Sequence, residues 1–390
     1  MNLAVKSEAI RMSMRKVKLG IVGCGWGSRD LYGSFFRYLE NGELVAAADA
    51  DEKSARAYQE QTGCKRIYTD LGSLLKDKEV EAVMVLTPPS VHCKQVEQIA
   101  EAGKHVYCEK PMAITVEEAD EMTSACRKNK VKLQIAFMKR FNPSFLLCKK
   151  LIEEGRLGDV FEMRAIWDNA RAYASAENYR HRLPGGGYLQ EDGSHPLDVC
   201  RWWMGEVKEV SGNAMLVMSD RIENDDVACV IMKHKSGAMS TLHITMLTHR
   251  RGLESYEVFG TKGTLLMEWP YHSTHTLEPA IIKLYEKSSK VTDLTLSTSW
   301  SPQKEMEKSW QYLNELRYFC GCVINNREPS VTGKDGRAVV EIVNAAYLSS
   351  QKGIKVKLPL EKSPDITKFF KELRKSSKWK IGKDLWGSRY

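Results

Sequence analysis

The chain has 390 residues, of which 43% are hydrophobic and 28% charged, and its 58 basic and 50 acidic side chains give a formal net charge of +8. This composition is typical of a soluble globular protein of two or three domains, each large enough to bury a core, and it excludes a disordered or disulfide-stapled chain. No apolar run approaches the roughly 20 residues that span a bilayer, so we expect no membrane partner.

Three further features exclude other classes of protein. Charged side chains from Lys6 to Arg15 interrupt the N-terminal segment, which does not read as a secretory signal and predicts a cytoplasmic protein. The 10 cysteines include no CxxC pair and predict reduced, mostly buried thiols. Residues 361–390 form a basic tail, which a solvated helix face explains as well as a nucleic-acid surface, so we expect no nucleic-acid partner.

Between residues 16 and 140, short apolar runs alternate with amphipathic stretches of helical spacing. Such alternation is typical of a doubly wound parallel sheet, so we predict an α/β first domain over residues 16–140. The predicted strands are Val17 to Val22, Leu44 to Ala48, Ala82 to Leu86, His105 to Cys108 and Leu133 to Ala136.

After Pro143 the pattern changes to one helix, residues 145–154, and then to longer β-rich runs without intervening helices. These runs predict an α+β second domain over residues 141–360 with a mostly antiparallel sheet. A helix at 336–352 is expected to pack back on the first domain, and residues 271–304 predict no regular structure. The predicted strands are Val160 to Trp167, Glu206 to Met218, Asp226 to His234, Ala238 to Thr245 and Ser255 to Phe259.

The first predicted strand ends in a glycine-rich turn, and a helical pattern follows. Backbone N–H groups at such a junction bind the pyrophosphate of a dinucleotide, although a merely tight turn would also use glycines. Ser28 replaces the third glycine of the GxGxxG pattern. The candidate cofactor-binding residues of this turn are Gly23, Gly25, Trp26, Gly27 and Ser28.

Asp49 follows the second predicted strand, 26 residues after Gly23. An acidic side chain in this place accepts hydrogen bonds from the adenosine ribose of NAD and repels the 2′-phosphate of NADP. The alternative is a turn or helix cap formed by Asp49-Ala50-Asp51, because aspartate is common in both roles. With the glycine turn upstream we favour the ribose interpretation, and hence NAD over NADP.

Two later strands also end in polar residues, at Thr87-Pro88 and at Glu109-Lys110. Ligands of doubly wound sheets bind at this carboxyl edge. A lysine held there by Pro111 is hard to solvate unless an anionic or hydroxylated ligand faces it. Pairing of Lys110 with Glu109 or another acid is the structural alternative.

In the second domain, Gly185-Gly186-Gly187 precedes an acidic and histidine-containing cluster. If the segment is helical, Glu191, His195 and Asp198 share one face. A histidine one turn from a carboxylate can act as a general base whose tautomer the acid sets. One histidine with carboxylates makes a poor zinc site, so we expect no metal.

Together these motifs resemble the Gfo/Idh/MocA family of nicotinamide-dependent sugar and cyclitol oxidoreductases. The resemblance spans roughly Val17 to Leu360 and does not cover the tail. The shared motifs are the glycine turn, Asp49, TPPSVH (87–92), AGKHVYCEKP (102–111), FMKRFNP (137–143), GGGYLQEDGSHPLD (185–198) and GIKVKLP (353–359).

The resemblance implies a Rossmann domain joined to a domain whose open sheet covers the nicotinamide and builds a homo-oligomer interface. It also implies that Lys110 binds the reacting hydroxyl and that His195 is the base, with Glu191 as its acidic partner. Implied cofactor contacts are Thr87, Pro88, His92, Glu109 and Lys110. Implied substrate contacts are Met138, Lys139, Arg140, Trp167, Asn169 and Asp192.

One departure from the family pattern affects the site directly. Glu191 stands where the family usually carries aspartate, four residues before the histidine. The extra methylene moves the carboxylate by roughly an ångström, which disturbs an alignment that depends on close positioning. Asp192 is therefore a second candidate for orienting His195.

The sequence favours NAD-dependent oxidation of a secondary ring hydroxyl in a sugar, glycoside or cyclitol. One alternative is a sugar-modifying enzyme whose tightly held NAD oxidises the ring only transiently during an elimination or epimerisation. A nicotinamide-sensing regulatory protein is less favoured, because Lys110 and His195 are retained. Substrate choice depends on the loop from Arg171 to Pro184, whose conformation follows no local rule.

Overall fold

The computed structural model describes residues 15–169, 178–183, 185–248, 252–269, 280–287, 290–296 and 310–379. Two sheets organise these residues. The first has six parallel strands in the order β3-β2-β1-β4-β5-β6, so the predicted doubly wound parallel sheet is confirmed. Its strands are β1 (Val17–Val22), β2 (Gly42–Ala48), β3 (Arg66–Tyr68), β4 (Ala82–Val85), β5 (His105–Cys108) and β6 (Leu133–Ile135).

The strands of the first sheet are apolar on both faces because helices cover both sides. All four residues of β4 are buried, as are five of the six residues of β1. Helix starts are set by side-chain caps: Asp51 caps the first helix and Asp70 the second, and Thr115 with Glu118 forms a capping box on the fourth. These helices are α1 (Glu52–Thr62), α2 (Leu71–Leu75), α3 (His92–Glu101) and α4 (Val116–Lys128).

The second sheet has nine strands in the order β14-β13-β12-β11-β7-β10-β9-β8-β15. Only β7 and β10 pair in parallel, which confirms the predicted mostly antiparallel sheet. The strands are β7 (Val160–Asp168), β8 (Val207–Met215), β9 (Val227–His234), β10 (Met239–Thr245), β11 (Leu253–Gly260), β12 (Gly263–Trp269), β13 (Ile281–Glu286), β14 (Val291–Asp293) and β15 (Val356–Lys357).

The expectation of no regular structure over residues 271–304 was wrong, because β13 and β14 lie within it. β13 alternates buried and outward-facing residues, with Ile282 and Leu284 in the core and Lys283 on the outer face. This alternation covers only six residues. The polar residues on either side hide it when the segment is read as a whole.

Six further helices follow in the described residues. They are α5 (Pro143–Glu153), α6 (Gly187–Glu191), α7 (Ser194–Met204), α8 (Trp310–Ile324), α9 (Gly333–Lys352) and α10 (Ile366–Ser376). Helix α8 packs on the first sheet, and two of the others carry the candidate site. Helix α9 touches both sheets. A Cβ on Gly212 of β8 would lie 2.7 Å from the Ala346 Cβ, and one on Gly336 would lie 2.6 Å from the Met112 sulfur.

The described helices include none that is long and apolar enough to cross a membrane. All 10 cysteines are free thiols, and all are buried except Cys93 and Cys229, which are half-buried.

Candidate active site

The glycine turn after β1 is shaped by one glycine and left open at two others. Gly23 has a φ of +96°, and a Cβ there would lie 2.8 Å from the Leu86 carbonyl. Only glycine fits this position. A Cβ on Gly25 or Gly27 would meet no protein atom within 4 Å, so both leave space for a ligand at the backbone. Trp26 between them is 59% exposed.

Ser28 closes the glycine turn from behind. Its hydroxyl is buried and donates to the Gly23 carbonyl oxygen. Ser28 also begins the single π-helical turn Ser28–Tyr32. The residue that replaces the third glycine therefore holds the shape of the turn, and the predicted direct contact of its side chain with a cofactor is not supported by this geometry.

Asp49 ties the end of β2 to the glycine turn. Its Oδ2 accepts a hydrogen bond from the Cys24 backbone N–H at 2.7 Å, and its Oδ1 accepts one from Asp51 N–H at 2.9 Å. Asp51, rather than Asp49, caps α1. Each carboxylate oxygen can accept a second hydrogen bond, so the half-buried Asp49 side chain can still bind a ribose hydroxyl.

Behind the polar residues that follow β4 lies a buried histidine. The His92 ring is fully buried, with Nε2 2.8 Å from the Thr87 carbonyl oxygen and Nδ1 3.3 Å from that of Met112. His92 therefore braces the loop that carries Thr87 and Pro88, and its cofactor contact remains a prediction. The Thr87 hydroxyl donates to Gln95 at 2.5 Å.

Lys110 joins the edge of the first sheet to the turn after α6. Its Nζ donates to the Glu191 carbonyl oxygen at 2.8 Å, so it is not taken up by an ion pair with Glu109. Glu109 instead accepts from the Lys110 backbone N–H at 2.9 Å and from the Tyr32 hydroxyl at 2.5 Å. Burial lowers the pKa of the Lys110 ammonium, and the Asp192 and Glu191 carboxylates oppose that shift.

The acidic and histidine cluster lies at a break between two helices, so the expectation of one helical face was wrong. α6 ends at Glu191 and α7 begins at Ser194. The backbone turns at Gly193, where a Cβ would lie 2.3 Å from the Leu189 carbonyl oxygen. Glu191, Asp192 and His195 are 3%, 5% and 6% exposed, so two carboxylates and an imidazole are buried at this break between the helices.

Trp167 contacts the histidine rather than an open pocket. Its indole is fully buried and stacks on the His195 imidazole, with ring centroids 5.8 Å apart and an interplanar angle of 22°. The Lys139 ammonium lies 4.7 Å from the same indole centroid and forms a buried ion pair with Glu254. Both side chains are thus enclosed by protein, and their direct substrate contacts remain predictions.

Arg140 is also held inside the protein. Its guanidinium donates to both carboxylate oxygens of Asp198, at 2.8 and 2.6 Å, and to Asp335 at 3.1 Å. Arg201 binds the same Asp335 oxygen at 2.7 Å. Arg140 and Asp198 are therefore both engaged in this ion-pair cluster, and the substrate contact of Arg140 remains a prediction.

The last two predicted substrate contacts differ in exposure. Met138 is fully buried in the core beneath the first sheet, and its substrate contact remains a prediction. Asn169 is half-buried at the end of β7, where its backbone N–H donates to the Thr245 carbonyl oxygen at 2.8 Å. Asn169 and Asp192 also remain candidate substrate contacts.

Arg180 is a site residue that the sequence did not single out. Its Nε lies 3.7 Å from Glu191 Oε2 and donates to the Tyr179 hydroxyl at 3.1 Å. The Asn224 side-chain amide donates a hydrogen bond to the Arg180 backbone carbonyl oxygen at 2.8 Å. The only sequence signal was the basic and aromatic character of the loop before the three glycines; residues 170–177 and Pro184 of that loop lie outside the described residues.

A cleft of about 460 Å³ lies between α2 and α3 in the first half of the chain, and sequence reasoning did not identify it either. It is lined on one side by Asp70 and Leu71 and on the other by Val91, Lys94 and Gln95. Gln95 accepts the Thr87 hydroxyl, so the cleft adjoins the carboxyl edge of the first sheet.

Comparison with known protein families covers both halves of the chain. Residues 17–137 match the model of the oxidoreductase family with an NAD-binding Rossmann fold, and residues 145–266 match the GFO/IDH/MocA C-terminal domain. The chain belongs to the Gfo/Idh/MocA family. As a member of this family it is an NAD-dependent dehydrogenase, and NAD is its cofactor.

Individual Gfo/Idh/MocA proteins match the chain along most of its length. The D-apiose dehydrogenase of Paraburkholderia graminis is 28% identical over 359 residues, covering 90% of this chain and 92% of the relative. The myo-inositol 2-dehydrogenase of Thermotoga maritima is 27% identical, covering 88% and 98%. The WlbA dehydrogenase of Bordetella pertussis, solved with NADH and UDP-GlcNAcA, is 26% identical with a TM-score of 0.74, covering 89% and 100%.

The residues at the edge of the first sheet fit the cofactor of a Gfo/Idh/MocA enzyme. Gly25 and Gly27 leave the backbone of the turn open where a pyrophosphate binds, and Asp49 presents carboxylate oxygens at the end of the neighbouring strand. Lys110 and Glu109 stand at the end of β5, next to the turn that carries His195. The cofactor edge and the acidic cluster are thus contiguous.

Proposed function

We propose that the enzyme reversibly oxidises a secondary ring hydroxyl of a sugar, glycoside or cyclitol to a ketone. The observation that carries this proposal is the 2.8 Å hydrogen bond from Lys110 Nζ to the Glu191 carbonyl oxygen. It brings the lysine of the cofactor edge to the turn that bears Glu191, Asp192 and His195. A cation and a general base at one point are what alcohol oxidation requires.

In this proposal the chain's own residues manage the proton and the developing charge. The His195 imidazole accepts the hydroxyl proton, and the Lys110 ammonium stabilises the alkoxide that forms. Asp192 or Glu191 orients and stabilises the imidazolium. NAD⁺, when bound, supplies the hydride acceptor. Trp167 limits the tilt of His195 by stacking on it.

A polyol substrate suits the polar groups that converge on the site. The carboxylates of Glu191 and Asp192 accept hydrogen bonds, and Lys110 and Arg180 donate them. Neighbouring hydroxyls of one ring can therefore both donate and accept hydrogen bonds in this site. The similarity to enzymes named for D-apiose and myo-inositol supports the same class. Asp49 supports NAD in preference to NADP, since its carboxylate would repel a 2′-phosphate.

The experiment is an absorbance assay of reduced nicotinamide with the protein, NAD⁺ and a panel of aldoses, inositols and glycosides. Before the assay, the supernatant of denatured protein is examined for cofactor that was purified with it. Substrate-dependent NADH supports the dehydrogenase. Substrate conversion with bound cofactor but no net NADH would instead indicate transient oxidation, and no conversion with any ring polyol would contradict the proposal.

We further propose that the enzyme is a homo-oligomer that associates through the outer face of the second sheet. Met215, Ile231 and Met239 lie on that face, on the adjacent strands β8, β9 and β10, and are 41%, 44% and 43% exposed. They are spaced along the face, since Met215 pairs with Val227 and Met239 with Lys233, near opposite ends of β9. Exposed apolar side chains along one sheet face suit a surface that a partner covers. The cytoplasmic location remains a prediction from the N-terminal sequence.

A further inference from the structure

A line of hydroxyl and carboxyl groups runs through the interior from α8 to the residue before Lys110. Glu315 Oε2 lies 2.7 Å from the Tyr107 hydroxyl, which lies 3.1 Å from the Tyr32 hydroxyl. Tyr32 in turn lies 2.5 Å from Glu109 Oε1. The proposed reaction uses neither the two tyrosines nor Glu315, yet the line ends beside its candidate catalytic lysine.

The number of hydrogen atoms decides how this line is bonded. If all three contacts are hydrogen bonds, the 3.1 Å contact between the two tyrosines included, each requires one hydrogen atom between its oxygens. The two tyrosine hydroxyls supply two hydrogens, and both keep them because burial raises the pKa of Tyr32 and of Tyr107 well above the usual range. The third hydrogen must come from a carboxyl group, so either Glu315 or Glu109 is protonated.

The surroundings of the two carboxyls favour a proton on Glu315. Glu315 is fully buried, and within the described residues its Oε1 has no hydrogen-bond partner and its carboxyl has no basic side chain at ion-pair distance. Burial raises its pKa well above the usual range. An ionised carboxylate with an unsatisfied oxygen is costly in such a place.

Glu109 has different surroundings. Burial raises its pKa as well, but the Lys110 ammonium and the hydrogen bonds donated by the Tyr32 hydroxyl and the Lys110 backbone N–H oppose that shift. Hydrogen bonds and a neighbouring cation favour the ionised form of a carboxyl group. The three hydrogen bonds then point in one direction, from Glu315 through the tyrosines to Glu109.

We propose that Glu315 is a neutral carboxylic acid that starts a one-way hydrogen-bond chain through Tyr107 and Tyr32, and that this chain keeps Glu109 ionised beside Lys110. Glu315, Tyr107 and Tyr32 are then positioning residues, which act on Lys110 through Glu109. The protonation of Glu315 is independent of the enzyme's activity. The effect on Lys110 rests on the proposed function.

Other charged groups also face the ends of the chain. Arg140 and Asp198 face Glu315, but they are paired with each other and leave little net charge. Tyr312 packs edge-on against Tyr32 and is neutral. The groups that face Glu109 and Lys110 are Glu191 and Asp192 from the turn after α6, Arg180 from the preceding loop and Lys139 after β6.

The first experiment is infrared difference spectroscopy of the full-length protein at neutral pH. The C=O stretch of a buried, protonated carboxyl group should be present in the wild-type protein and in Glu109→Gln, and absent from Glu315→Gln. Glutamine has the same shape and can still donate to Tyr107, so the fold should be kept. A band that is lost in Glu109→Gln instead, or no change in either variant, would overturn the assignment.

The second experiment measures kcat/KM against pH for Tyr107→Phe, with Tyr58→Phe as the control. Without the Tyr107 hydroxyl, Tyr32 is a weaker donor, Glu109 accepts a proton more readily, and the Lys110 ammonium loses a negative neighbour. We expect kcat/KM to fall about tenfold and its alkaline limb to move to lower pH by about half a unit. Glu315→Gln should keep the wild-type profile, because a neutral donor replaces a neutral donor.

Tyr58 is a suitable control because it is fully buried in the same core and its hydroxyl has no hydrogen-bond partner among the described residues. An alkaline limb that stays in place in Tyr107→Phe, or that shifts equally in Tyr58→Phe, would contradict the tyrosine chain. If no variant and no wild-type sample oxidises a ring polyol, the proposed function fails, while the infrared result still decides the state of Glu315.

Discussion

The glycines after β1 differ in what their lack of a side chain provides. Gly23 has a positive φ and no room for a Cβ, so Gly23→Ala should destabilise the folded protein by at least about 2 kcal/mol. Gly25→Ala should leave the thermal midpoint nearly unchanged, because a Cβ there meets no protein atom, but should weaken NAD binding. Thermal unfolding and NAD titration test both. Unchanged NAD affinity in Gly25→Ala would show that the pyrophosphate does not approach this backbone.

Two lysines flank β5 and offer a matched comparison at its opposite ends. Lys110→Met should lower kcat by about a hundredfold or more while NAD still binds, because the developing alkoxide loses its cation. Lys104→Met should cost stability alone, since the Lys104 ammonium donates to the Asp77 and Val80 carbonyls away from the site. Steady-state rates and NAD affinity separate these outcomes, and equal loss of kcat in both variants would contradict the role of Lys110.

The activity of the wild-type enzyme should also depend on the ionisation of Lys110. Burial lowers the pKa of Lys110, so the ammonium that stabilises the alkoxide is present at low pH and is lost as pH rises through that lowered value. The alkaline limb of kcat/KM should therefore lie below the ordinary lysine pKa of about 10.4.

The position of Lys110 at the carboxyl edge of the first sheet was predictable from sequence because a local rule places it, whereas the catalytic roles of Lys110 and His195 remain predictions. The carboxyl ends of parallel strands share one edge, and a histidine beside two carboxylates has a recognisable chemistry. The ion pairs of Lys139 and Arg140 were not predictable. The acidic partner of Lys139 lies 115 residues away in the sequence, and those of Arg140 lie 58 and 195 residues away. A basic side chain next to a motif gives no indication of such a partner.

At the scale of elements, α10 supports the entry to α6 although it lies beyond the family resemblance. Phe369 and Phe370 pack on Tyr347 of α9, whose hydroxyl oxygen lies 3.0 Å from the Gly186 carbonyl oxygen and 2.8 Å from Asp225 Oδ1. Asp225 in turn accepts the Leu189 backbone N–H at 2.9 Å. The C-terminal helix therefore holds the start of the helix that ends at Glu191.

We therefore expect Phe370→Ala to destabilise the protein by about 3 kcal/mol and to lower kcat/KM at temperatures where it remains folded. The exposed Lys371 of the same helix is the control, and Lys371→Ala should change neither quantity. Thermal unfolding and initial rates are the measurements. Wild-type kcat/KM in folded Phe370→Ala would mean that α10 does not influence the site.

Element prediction was accurate where apolar residues form a recognisable local pattern, and it failed where flanking polar residues obscure the pattern or tertiary packing decides it. β1 and β5, and the helix from Gly333 to Lys352, carry patterns that local spacing reveals. The break between α6 and α7 was missed because Gly193 is needed for a close approach to Leu189, which is a tertiary condition. β3 was missed because its three residues give too short a pattern.

At the scale of the whole molecule, the two sheets meet where Lys110 reaches Glu191. The sequence predicted both sheets, because alternating strands and helices differ from consecutive strands. A boundary between two domains near residue 140 remains a prediction. On β9, Ile231 lies on the outer face of the second sheet, whereas its neighbours Val230 and Met232 are buried on the opposite face.

The proposed oligomer makes this outer face testable. Ile231→Glu should dissociate the assembly, because a charge would enter an apolar interface. Leu146→Glu is the control, since Leu146 is 46% exposed on α5, away from the sheet face. Sedimentation velocity should detect smaller particles only for Ile231→Glu. A monomeric wild-type protein would contradict the oligomer.

The central claim is that Lys110 and His195, brought together across the two sheets, act on one hydroxyl. A double-mutant cycle of Lys110→Ala and His195→Ala, measured as kcat/KM on the polyol that the panel identifies, tests it most directly. We predict a loss of at least about a hundredfold for each single variant and little further loss for the double variant, because both residues serve the same proton transfer. Independent, multiplicative losses, or a single variant within about twofold of the wild-type rate, would contradict the account.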